Sequence, residues 1–565
     1  MAGAIFLVRA SGSGRAEGPS GEQGVSDTTV RSAAGPPRDD ATAERSLRRL
    51  VPRTPAGIVI VAATLLGLAL RGYQLARSGH LLGVTEYDDG ADFGSALRLV
   101  NGAIPYRDFV TVQPPGITLL MLPAALLSKL AGTAGAMAAA RILTAAAGGA
   151  GVLFGGLLVR HRGLLAVIVT CGILAVYPGS VQSAHTVLLE PWLVLACLAG
   201  AVAVFDGDQL AGGRRLAWGG VVFGFAGAIK VWAIIPVAVI LVLSLPRPRQ
   251  AARFAAGVAA GFLVPVLPFA VAAPRALYDG VIVAQLARSG TPVPFWFRIQ
   301  QMTGLIAGHP TDVILAVAAV IAVALVIGAI AGAWLVTQRL PPALDWFAVV
   351  SAALVVAAFL LPDDFYYHYP GFLAPFLALS LALPAARLLA GDTGPGAALA
   401  RRPGGRRPGR VRWSAPVLAG LVLVVLPFAV PRAEDAPTPT YRVTAVQRVI
   451  PPGACVLTDQ ASLLIAANRF TSDVPGCSLM VDGTGTDFVF GHGKNGFSAG
   501  RVPAVAAVWR QAFSAAQYVL LTPVNGRRIA WTPALRSYFT RNFILVRGSW
   551  PPLSLYVRRG TRIQP

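Results

Sequence analysis

The sequence predicts a polytopic α-helical membrane protein that ends in a small α/β domain. Three observations support this fold class. The 565 residues are 55% hydrophobic, with a mean hydropathy of +0.62. Apolar runs close to the length of a bilayer span follow one another between residues 55 and 430. After residue 431, short strand-like runs alternate with helical patterns, which favours a layered α/β fold.

The positive charge of the chain is explained by membrane topology. Its net charge of +22 would also fit nucleic-acid binding. However, the arginines lie mostly in short loops between apolar runs, where the positive-inside bias places them. We therefore predict membrane lipid, and no nucleic acid, as a partner. Arg, Ala, Gly and Pro are abundant and Lys is rare, which is typical of GC-rich coding, as in an actinobacterium.

The first membrane span is predicted at Pro55–Leu75. Residues 1–53 are rich in small and charged residues and lack hydrophobic periodicity, so we expect a disordered cytoplasmic tail. Four arginines just before the span, at positions 45, 48, 49 and 53, favour a cytoplasmic N-terminus in the plasma membrane. The loop 76–136 then emerges on the outer face.

Eleven spans are predicted for residues 54–431. The run 114–131 begins with two prolines and contains a lysine, which favours an interfacial helix over a span. With that choice, Arg160–Arg162 and the later basic loops fall on the cytoplasmic side. Two alternatives reverse this topology: a full crossing by 114–131, or one helix over 216–245 in place of two short spans that meet at Lys230. The other apolar runs are 137–159, 164–179, 186–205, 216–229, 231–245, 254–273, 312–336, 344–361, 369–390 and 414–430.

Residues 432–565 are predicted to form an extracytoplasmic α/β domain. Cys455 and Cys477 lie there and could pair if the region is outside the cytoplasm. The predicted strands are Cys455–Thr458, Tyr518–Thr522, Phe543–Arg547 and Leu553–Arg558. The predicted helices are Tyr441–Val449, Gln460–Asn468, Val502–Ala516 and Pro533–Asn542.

The candidate site centres on the acidic first loop, Thr85–Gly116. Only 13% of the chain is charged, yet this loop holds Glu86, Asp88, Asp89, Asp92 and Asp108. Acids beside a membrane span are costly unless they face water, a cation or a substrate. The grouped acids could simply belong to a solvated loop. The apolar pattern of the loop and its Pro-Pro-Gly ending favour a functional site instead.

The predicted topology brings further polar residues to the same outer face. They are His185, Glu190, Lys230 and the segment Asp363, Asp364, Tyr366, Tyr367, His368 and Tyr369. Each has a structural explanation: His185 as a helix cap, Lys230 as a snorkelling lysine, the tyrosines as an aromatic belt. Glu190 lies inside an apolar run and needs a partner. Their joint placement on one side favours a site.

The chemistry that these residues suggest is transfer from a lipid-borne substrate. The sequence has no phosphate-binding G-x-x-x-x-G-K-[ST] loop, no H-E-x-x-H and no paired C-x-x-C. A carboxylate can deprotonate an acceptor hydroxyl while cations stabilise a phosphate leaving group. This division of labour fits glycosyl transfer from a polyprenyl-phosphate sugar.

The first loop resembles that of the GT-C glycosyltransferases, among them the protein O-mannosyltransferases. The resemblance rests on Asp88-Asp89, on Gly102-x-x-Pro105-Tyr106-Arg107-Asp108 and on Pro114-Pro115-Gly116. Arg141 at the opening of a span, the Glu190-Pro191 turn, the G-F-A-G-A-I-K segment ending at Lys230, and Tyr366–Pro370 match in outline.

The resemblance implies an inverting transfer from a polyprenyl-phosphate sugar donor to a glycan, lipid or protein acceptor outside the cytoplasm. It implies Asp88 as the general base, with Asp89 as the next candidate. A divalent metal is left open, since some GT-C enzymes use one and others do not. Two alternatives to a transferase are a flippase of a lipid-linked sugar and a membrane scaffold that binds cell-wall polymer. The residues implied to bind donor or substrate are Asp92, Tyr106, Arg107, His185, Glu190, Lys230, Tyr367 and His368.

Overall fold

The structure is a computed structural model of the chain. It describes residues 54–288, 292–303, 340–390, 441, 443–546 and 552–561, with short pieces at 327–328, 330–332 and 335. The predicted tail 1–53, the predicted span 414–430 and nearly all of the predicted span 312–336 lie outside the described residues. The count of eleven spans therefore stays a prediction.

Five of the described helices are long and apolar enough to cross a membrane, by length and composition: Pro55–Ala76, Ser128–Arg162, Pro248–Ala272, Ala343–Leu360 and Pro370–Arg387. Three shorter apolar helices accompany them. The helices before the C-terminal region are α1 (Pro55–Ala76), α2 (Asp88–Val100), α3 (Gly116–Leu120), α4 (Leu122–Leu126), α5 (Ser128–Val159), α6 (Leu164–Val176), α7 (Pro178–Gln182), α8 (Leu189–Val204), α9 (Gly213–Ile229), α10 (Ile234–Ser244), α11 (Pro248–Ala272), α12 (Pro274–Tyr278), α13 (Ala284–Leu286), α14 (Phe295–Thr303), α15 (Ala343–Leu360) and α16 (Pro370–Ala390).

The apolar run 114–131 is broken into short helices. Helices α3 and α4 have five residues each, so each rises only ~7.5 Å and is too short to cross a bilayer. Helix α5 follows, and its start is kinked at Gly132, which has a φ of +70°. A Cβ at Gly132 would lie 2.6 Å from Asn468 Oδ1. Only glycine fits both this backbone conformation and this close contact with the C-terminal region.

The chain reverses direction at Lys230. Helix α9 ends there, and Lys230 itself is extended, with a φ of −151° and a ψ of 132°. Helices α9 and α11 pack in parallel, because Gly220 lies against Phe254 and Gly257 while Gly224, one turn later, lies against Val258 and Phe262. Small residues allow this close approach of two helix backbones. Since α9 and α11 are parallel, α10 must run in the opposite direction between them. This agrees with two short segments that meet at Lys230 and not with one helix over 216–245.

Basic side chains gather at the end of the helices away from the acidic loop. Arg162 forms ion pairs with Asp208 at 2.5 Å and with Asp345 at 2.8 Å, and Arg387 lies 3.2 Å from Asp345. Arg162 ends the short turn Arg160–Arg162 that follows α5, and the first turns of α5 lie beside the C-terminal region. The acids of α2 and this basic cluster therefore occupy opposite ends of the bundle. Which end faces the cytoplasm stays a prediction.

The C-terminal region folds around a four-stranded sheet made of β3 (Val456–Thr458), β4 (Tyr518–Leu521), β5 (Phe543–Leu545) and β6 (Ser554–Arg558). Their order across the sheet is β3–β4–β6–β5. Strands β3 and β4 are parallel and the other two pairings are antiparallel. The small hairpin β1 (Phe205–Asp206) and β2 (Gln209–Leu210) lies elsewhere, in the turn after α8. The helices of this region are α17 (Val443–Val449), α18 (Ala461–Ala466), α19 (Gly483–Phe490), α20 (Gly496–Ala499), α21 (Pro503–Ala515) and α22 (Pro533–Asn542).

The four strands and helices α17, α18, α21 and α22 lie within segments in which the sequence pattern predicted strands and helices, whereas α19 and α20 lie outside every predicted helix. Their own core packs Trp509, Phe513, Trp531 and Phe539 together, and Cys455 and Cys477 form a disulfide. The region is nevertheless part of the compact unit Pro52–Pro565. The reason is its dense packing on the acidic loop, described next.

Candidate active site

Asp89 is a buried anchor of the acidic loop. Its carboxylate is fully buried, and its Oδ2 accepts hydrogen bonds from Arg141 Nη2 at 2.8 Å, Thr186 Oγ1 at 2.6 Å and Thr85 Oγ1 at 3.1 Å. Arg141 also donates to three backbone carbonyls in the turn after α1. A carboxylate so enclosed is poorly placed to take a proton from an incoming hydroxyl. Its geometry fits a positioning role rather than the catalytic role implied for it.

Asp88 has the opposite environment. Its side chain is 47% exposed, and its Oδ2 lies 3.7 Å from His368 Nε2. Asp88 and Asp89 are neighbours at the start of α2. Successive helical side chains point about 100° apart, so one carboxylate faces the interior and the other faces the open site. The recessed position of Asp88 raises the pKa of its carboxyl, and the nearby His368 acts in the opposite direction.

A chain of charged groups leads from Asp88 into the bundle. His368 Nδ1 lies 3.0 Å from Glu190 Oε2, and Glu190 Oε1 accepts a hydrogen bond of 2.6 Å from Lys230 Nζ. Glu190 is fully buried, so its charge needs these partners. The ring of His368 is thus held between two carboxylates. These groups run in the order Lys230, Glu190, His368, Asp88, and of the two carboxylates in this series only that of Asp88 is open to solvent.

Lys230 owes its position to the helix break and to an aromatic cage. Its Nζ lies 3.7 Å from the ring centroid of Trp232 and 4.8 Å from that of Tyr369. Such cation–π contacts stabilise a desolvated ammonium group. The lysine predicted as a snorkelling or donor-binding residue is therefore buried within the site and does not reach an interface.

Asp92 lies one helical turn after Asp88. It is 6% exposed, and its Oδ2 has no hydrogen-bond partner among the described residues. Burial raises the pKa of its carboxyl well above the usual range, and the charge of Asp88 adds to this effect. Positions i and i+4 share one helix face. Asp92 therefore presents a carboxyl that favours its protonated form beside the carboxylate of Asp88.

Four other predicted site residues form contacts with neighbouring residues and do not face Asp88. Tyr367 donates a 2.6 Å hydrogen bond to Glu86 Oε2. His185 is fully buried, its Nδ1 lies 2.6 Å from the Gln182 carbonyl, and burial lowers its pKa to about 4. Tyr106 is buried with its hydroxyl on the Gln113 carbonyl at 2.5 Å. Arg107 pairs with its neighbour Asp108 through two hydrogen bonds of 2.9 Å.

Sequence reasoning missed Arg288. Its Nη2 donates to the Tyr366 hydroxyl at 2.9 Å, and its Nε lies 2.9 Å from Asp364 Oδ2. Its guanidinium is 4.5 Å from the ring centroid of Phe488 in α19 and is close enough to Asp88 to lower the pKa of that carboxyl. The chain holds 48 lysines and arginines, and nothing in the local sequence sets Arg288 apart.

The C-terminal region also contributes to the site. Tyr87, just before Asp88, donates a 2.9 Å hydrogen bond to Asp482 Oδ1 and accepts one of 2.9 Å from the Thr484 backbone N–H. The guanidinium of Arg528 lies 4.5 Å from the Tyr87 ring centroid. Gln460 Nε2 donates to the Glu86 carbonyl at 2.8 Å. The C-terminal region thus fixes the backbone and side chain that precede the candidate base.

A metal site is not evident in this part of the structure. Among the residues that the structure describes, no group of three or more His, Cys, Asp or Glu side chains is placed to hold a metal ion. The three aspartates of α2 do not converge, since Asp89 points inward to Arg141 while Asp88 faces the open site.

Solved structures of another protein are similar to this chain in fold. No protein-family model and no curated protein sequence matches the chain. The structure of ArnT from Cupriavidus metallidurans bound to undecaprenyl phosphate is similar with a TM-score of 0.53 and 15% identity, over 89% of this chain and 98% of ArnT. The structure of ArnT from the same organism in the apo state is similar with a TM-score of 0.51 and 13% identity, over 92% of this chain and 98% of ArnT.

This chain has the fold of ArnT. The likeness extends over nearly the whole of both chains. A helical membrane protein is therefore confirmed as the fold class. The O-mannosyltransferase-like type and the actinobacterial origin stay predictions. At 15% identity or less the likeness concerns the fold alone, so function must be argued from the residues.

Proposed function

We propose that the protein is a GT-C glycosyltransferase that moves a sugar from a polyprenyl-phosphate donor to an acceptor hydroxyl outside the cytoplasm, with inversion. The observation that carries this proposal is the half-exposed carboxylate of Asp88 at the end of the chain Lys230, Glu190 and His368. It lies in a fold that, in ArnT, has been seen with undecaprenyl phosphate bound.

The proposed reaction is a direct displacement. Asp88 accepts the proton of the acceptor hydroxyl while the hydroxyl oxygen attacks the anomeric carbon of the donor. The bond from that carbon to the phosphate oxygen breaks, and its electron pair leaves with the polyprenyl phosphate. Phosphate is a good leaving group, so no protonating acid is required. His368, held by Glu190, keeps Asp88 in the orientation that the proton transfer needs.

In the proposed reaction, two cations stabilise the departing phosphate. Lys230 and Arg288 both lie near enough to influence the carboxyl of Asp88. Fixed positive charge in a water-poor site stabilises developing negative charge strongly. Burial of Asp92 raises the pKa of its carboxyl, and its Oδ2 has no hydrogen-bond partner among the described residues, so a protonated Asp92 would donate to a phosphate or sugar oxygen without adding negative charge.

The experiment measures transfer of radiolabelled sugar from polyprenyl-phosphate mannose, glucose and arabinose in membranes that contain the protein. We expect transfer with one of these donors, and its loss in Asp88→Asn at normal protein levels. The exposed Asp206, at the opposite end of the bundle, provides a matched control as Asp206→Asn. Full transfer by Asp88→Asn would refute the proposed base. Movement of the labelled lipid across the bilayer without transfer would favour a flippase.

A further inference from the structure

A cavity separates the acidic loop from the C-terminal region. Its volume is about 390 Å³, within the range of ~300–1,000 Å³ typical of small-molecule sites. One wall is the turn 106–110 of the acidic loop, and the others are the segment 476–480, helix α19 and helix α21. None of the contacts that organise Asp88 lies in it. The reaction site described above therefore does not account for this cavity.

The cavity carries no net charge. Among the described residues that line it, only Arg107 and Asp108 are charged. They neutralise each other through two parallel hydrogen bonds of 2.9 Å, from Nε to Oδ1 and from Nη2 to Oδ2. A phosphate, an acidic polymer or a cation would find no unpaired counter-charge here. The ligand that suits this cavity is uncharged.

The walls combine hydrogen-bonding groups with an exposed aromatic face. The ring of Phe490 is 37% exposed and lines the cavity. Gln511 and Ser478 provide polar groups on the other walls, and the planar pair of Arg107 with Asp108 adds more, whereas the buried hydroxyl of Thr486 donates to the Asp482 carbonyl. A lipid tail would bury the side-chain amide of Gln511 without hydrogen bonds. A sugar ring satisfies both features, since it has an apolar C–H face and a rim of hydroxyls.

Helix α19 connects this cavity to the reaction site. At its start, Asp482 accepts the hydrogen bond from Tyr87, next to Asp88. Thr486, one turn later, lines the cavity, and Phe490 ends the helix in the cavity wall. Eight residues of helix span ~12 Å. An extended chain of a few sugar units can therefore reach both places.

We propose that the cavity binds a neutral saccharide unit of the acceptor, so that the acceptor is a neutral glycan or carries one. This inference rests on the proposed function for the identity of the ligand as acceptor. The cavity holds one sugar unit of the glycan, and the next unit reaches toward Asp88 along α19.

The test measures binding of defined oligosaccharides to the full-length protein purified in detergent, by saturation-transfer NMR. The probes are neutral tetrasaccharides of arabinan, mannan, galactan and glucan, with a tetragalacturonate as the anionic comparison. We expect one neutral probe to bind, and Phe490→Ala or Gln511→Ala to weaken its binding by about tenfold. Both side chains are exposed, so these variants should fold. Ser514→Ala, on the same helix as Gln511 but outside the cavity, should bind normally.

The transfer assay separates this inference from the proposed function. Asp88→Asn should bind the neutral probe as the wild type does and yet lose transfer. If no neutral probe binds, if only the tetragalacturonate binds, or if Phe490→Ala and Gln511→Ala bind normally, the cavity assignment is overturned even when transfer is intact. If a neutral probe binds with the expected variant effects but Asp88→Asn still transfers, the proposed base fails and the saccharide site stands.

Discussion

Two adjacent aspartates, Asp88 and Asp89, should respond in opposite ways to the same substitution. We consider Asp88→Asn and Asp89→Asn, which each remove one charge and keep the shape of the side chain. In Asp88→Asn the loss falls on a carboxylate that is 47% exposed and 3.7 Å from His368. In Asp89→Asn it falls on a fully buried carboxylate with three hydrogen bonds, one of them from the buried Arg141.

The expected magnitudes follow from these environments. Loss of an exposed ion pair costs ~0–1 kcal/mol, so Asp88→Asn should leave the free energy of unfolding almost unchanged. Loss of a general base lowers the rate by ~10²–10⁴-fold. Breaking a buried pair from one side costs ~3–5 kcal/mol, because Arg141 is left buried without its counter-charge. Asp89→Asn should therefore lower the free energy of unfolding, and it should lower the transfer rate only because less of the protein is folded.

The assay combines thermal unfolding of the detergent-purified protein with the initial rate of sugar transfer at a temperature where both variants are folded. A rate within threefold of the wild type for Asp88→Asn would remove Asp88 as the base. An unchanged unfolding temperature for Asp89→Asn would contradict the anchoring role of Asp89. If Asp89→Asn were stable and inactive, the two roles would have to be exchanged.

Further predictions concern the neighbourhood of the site. Asp92→Asn should transfer sugar within a few-fold of the wild-type rate, because burial favours the protonated carboxyl, which an amide imitates. Asp92→Ala should transfer sugar more slowly than that. Equal loss of transfer in both variants would mean that Asp92 acts as an anion. Tyr87→Phe should lower the transfer rate ten- to a hundredfold at unchanged unfolding temperature, since a small displacement of a catalytic group is costly; a normal rate would show that the hydroxyl does not position Asp88. Cys477→Ser should lower the free energy of unfolding by about 3 kcal/mol, because the Cys455–Cys477 disulfide closes a loop with a sequence separation of 22 residues. Dithiothreitol should then have no effect on the melting temperature of the variant. Burial raises the pKa of Asp487 to about 7, above its unfolded value of ~3.9. The stability that this group contributes is therefore complete below pH ~4 and is lost as the pH rises through about 7. Protection from hydrogen exchange in helix α21 should fall with pH in this way in the wild type and less steeply in Asp487→Asn.

The sequence was sufficient for those features that depend on local pattern. Hydropathy located α1, α5, α11, α15 and α16, since a span needs a continuous apolar run. Alternating patterns located the strands of the C-terminal sheet. Even the different roles of Asp88 and Asp89 had a signal, because residues i and i+1 cannot share a helix face whereas i and i+4 can. Applied to α2, that rule pairs Asp88 with Asp92 and sets Asp89 apart.

The features that the sequence did not reveal depend on contacts between distant segments. Arg288 and Asp482 each lie among unremarkable polar residues, and they reach Asp88 only because the chain folds back from 200 and 394 positions away. Tyr106 and Arg107 belong to the motif that indicated the family, yet their side chains bond within their own loop. A motif records which residues a loop contains and not the direction in which each side chain points.

The C-terminal region is best regarded as part of the candidate site. If it were only an accessory domain, the acidic loop would hold its shape without it. Yet the carbonyl of Glu86 is bonded by Gln460 and Ser462, and the hydroxyl of Tyr87 is bonded by Asp482 and Thr484. A Cβ at Gly90 would lie 2.3 Å from the Ser462 backbone N, so the loop and this region are in direct backbone contact. Removal of residues 432–565 would expose these groups to water and free the turn that carries Asp88. Loss of transfer on truncation therefore follows from the geometry, whereas a scaffold role for this region alone would leave transfer intact.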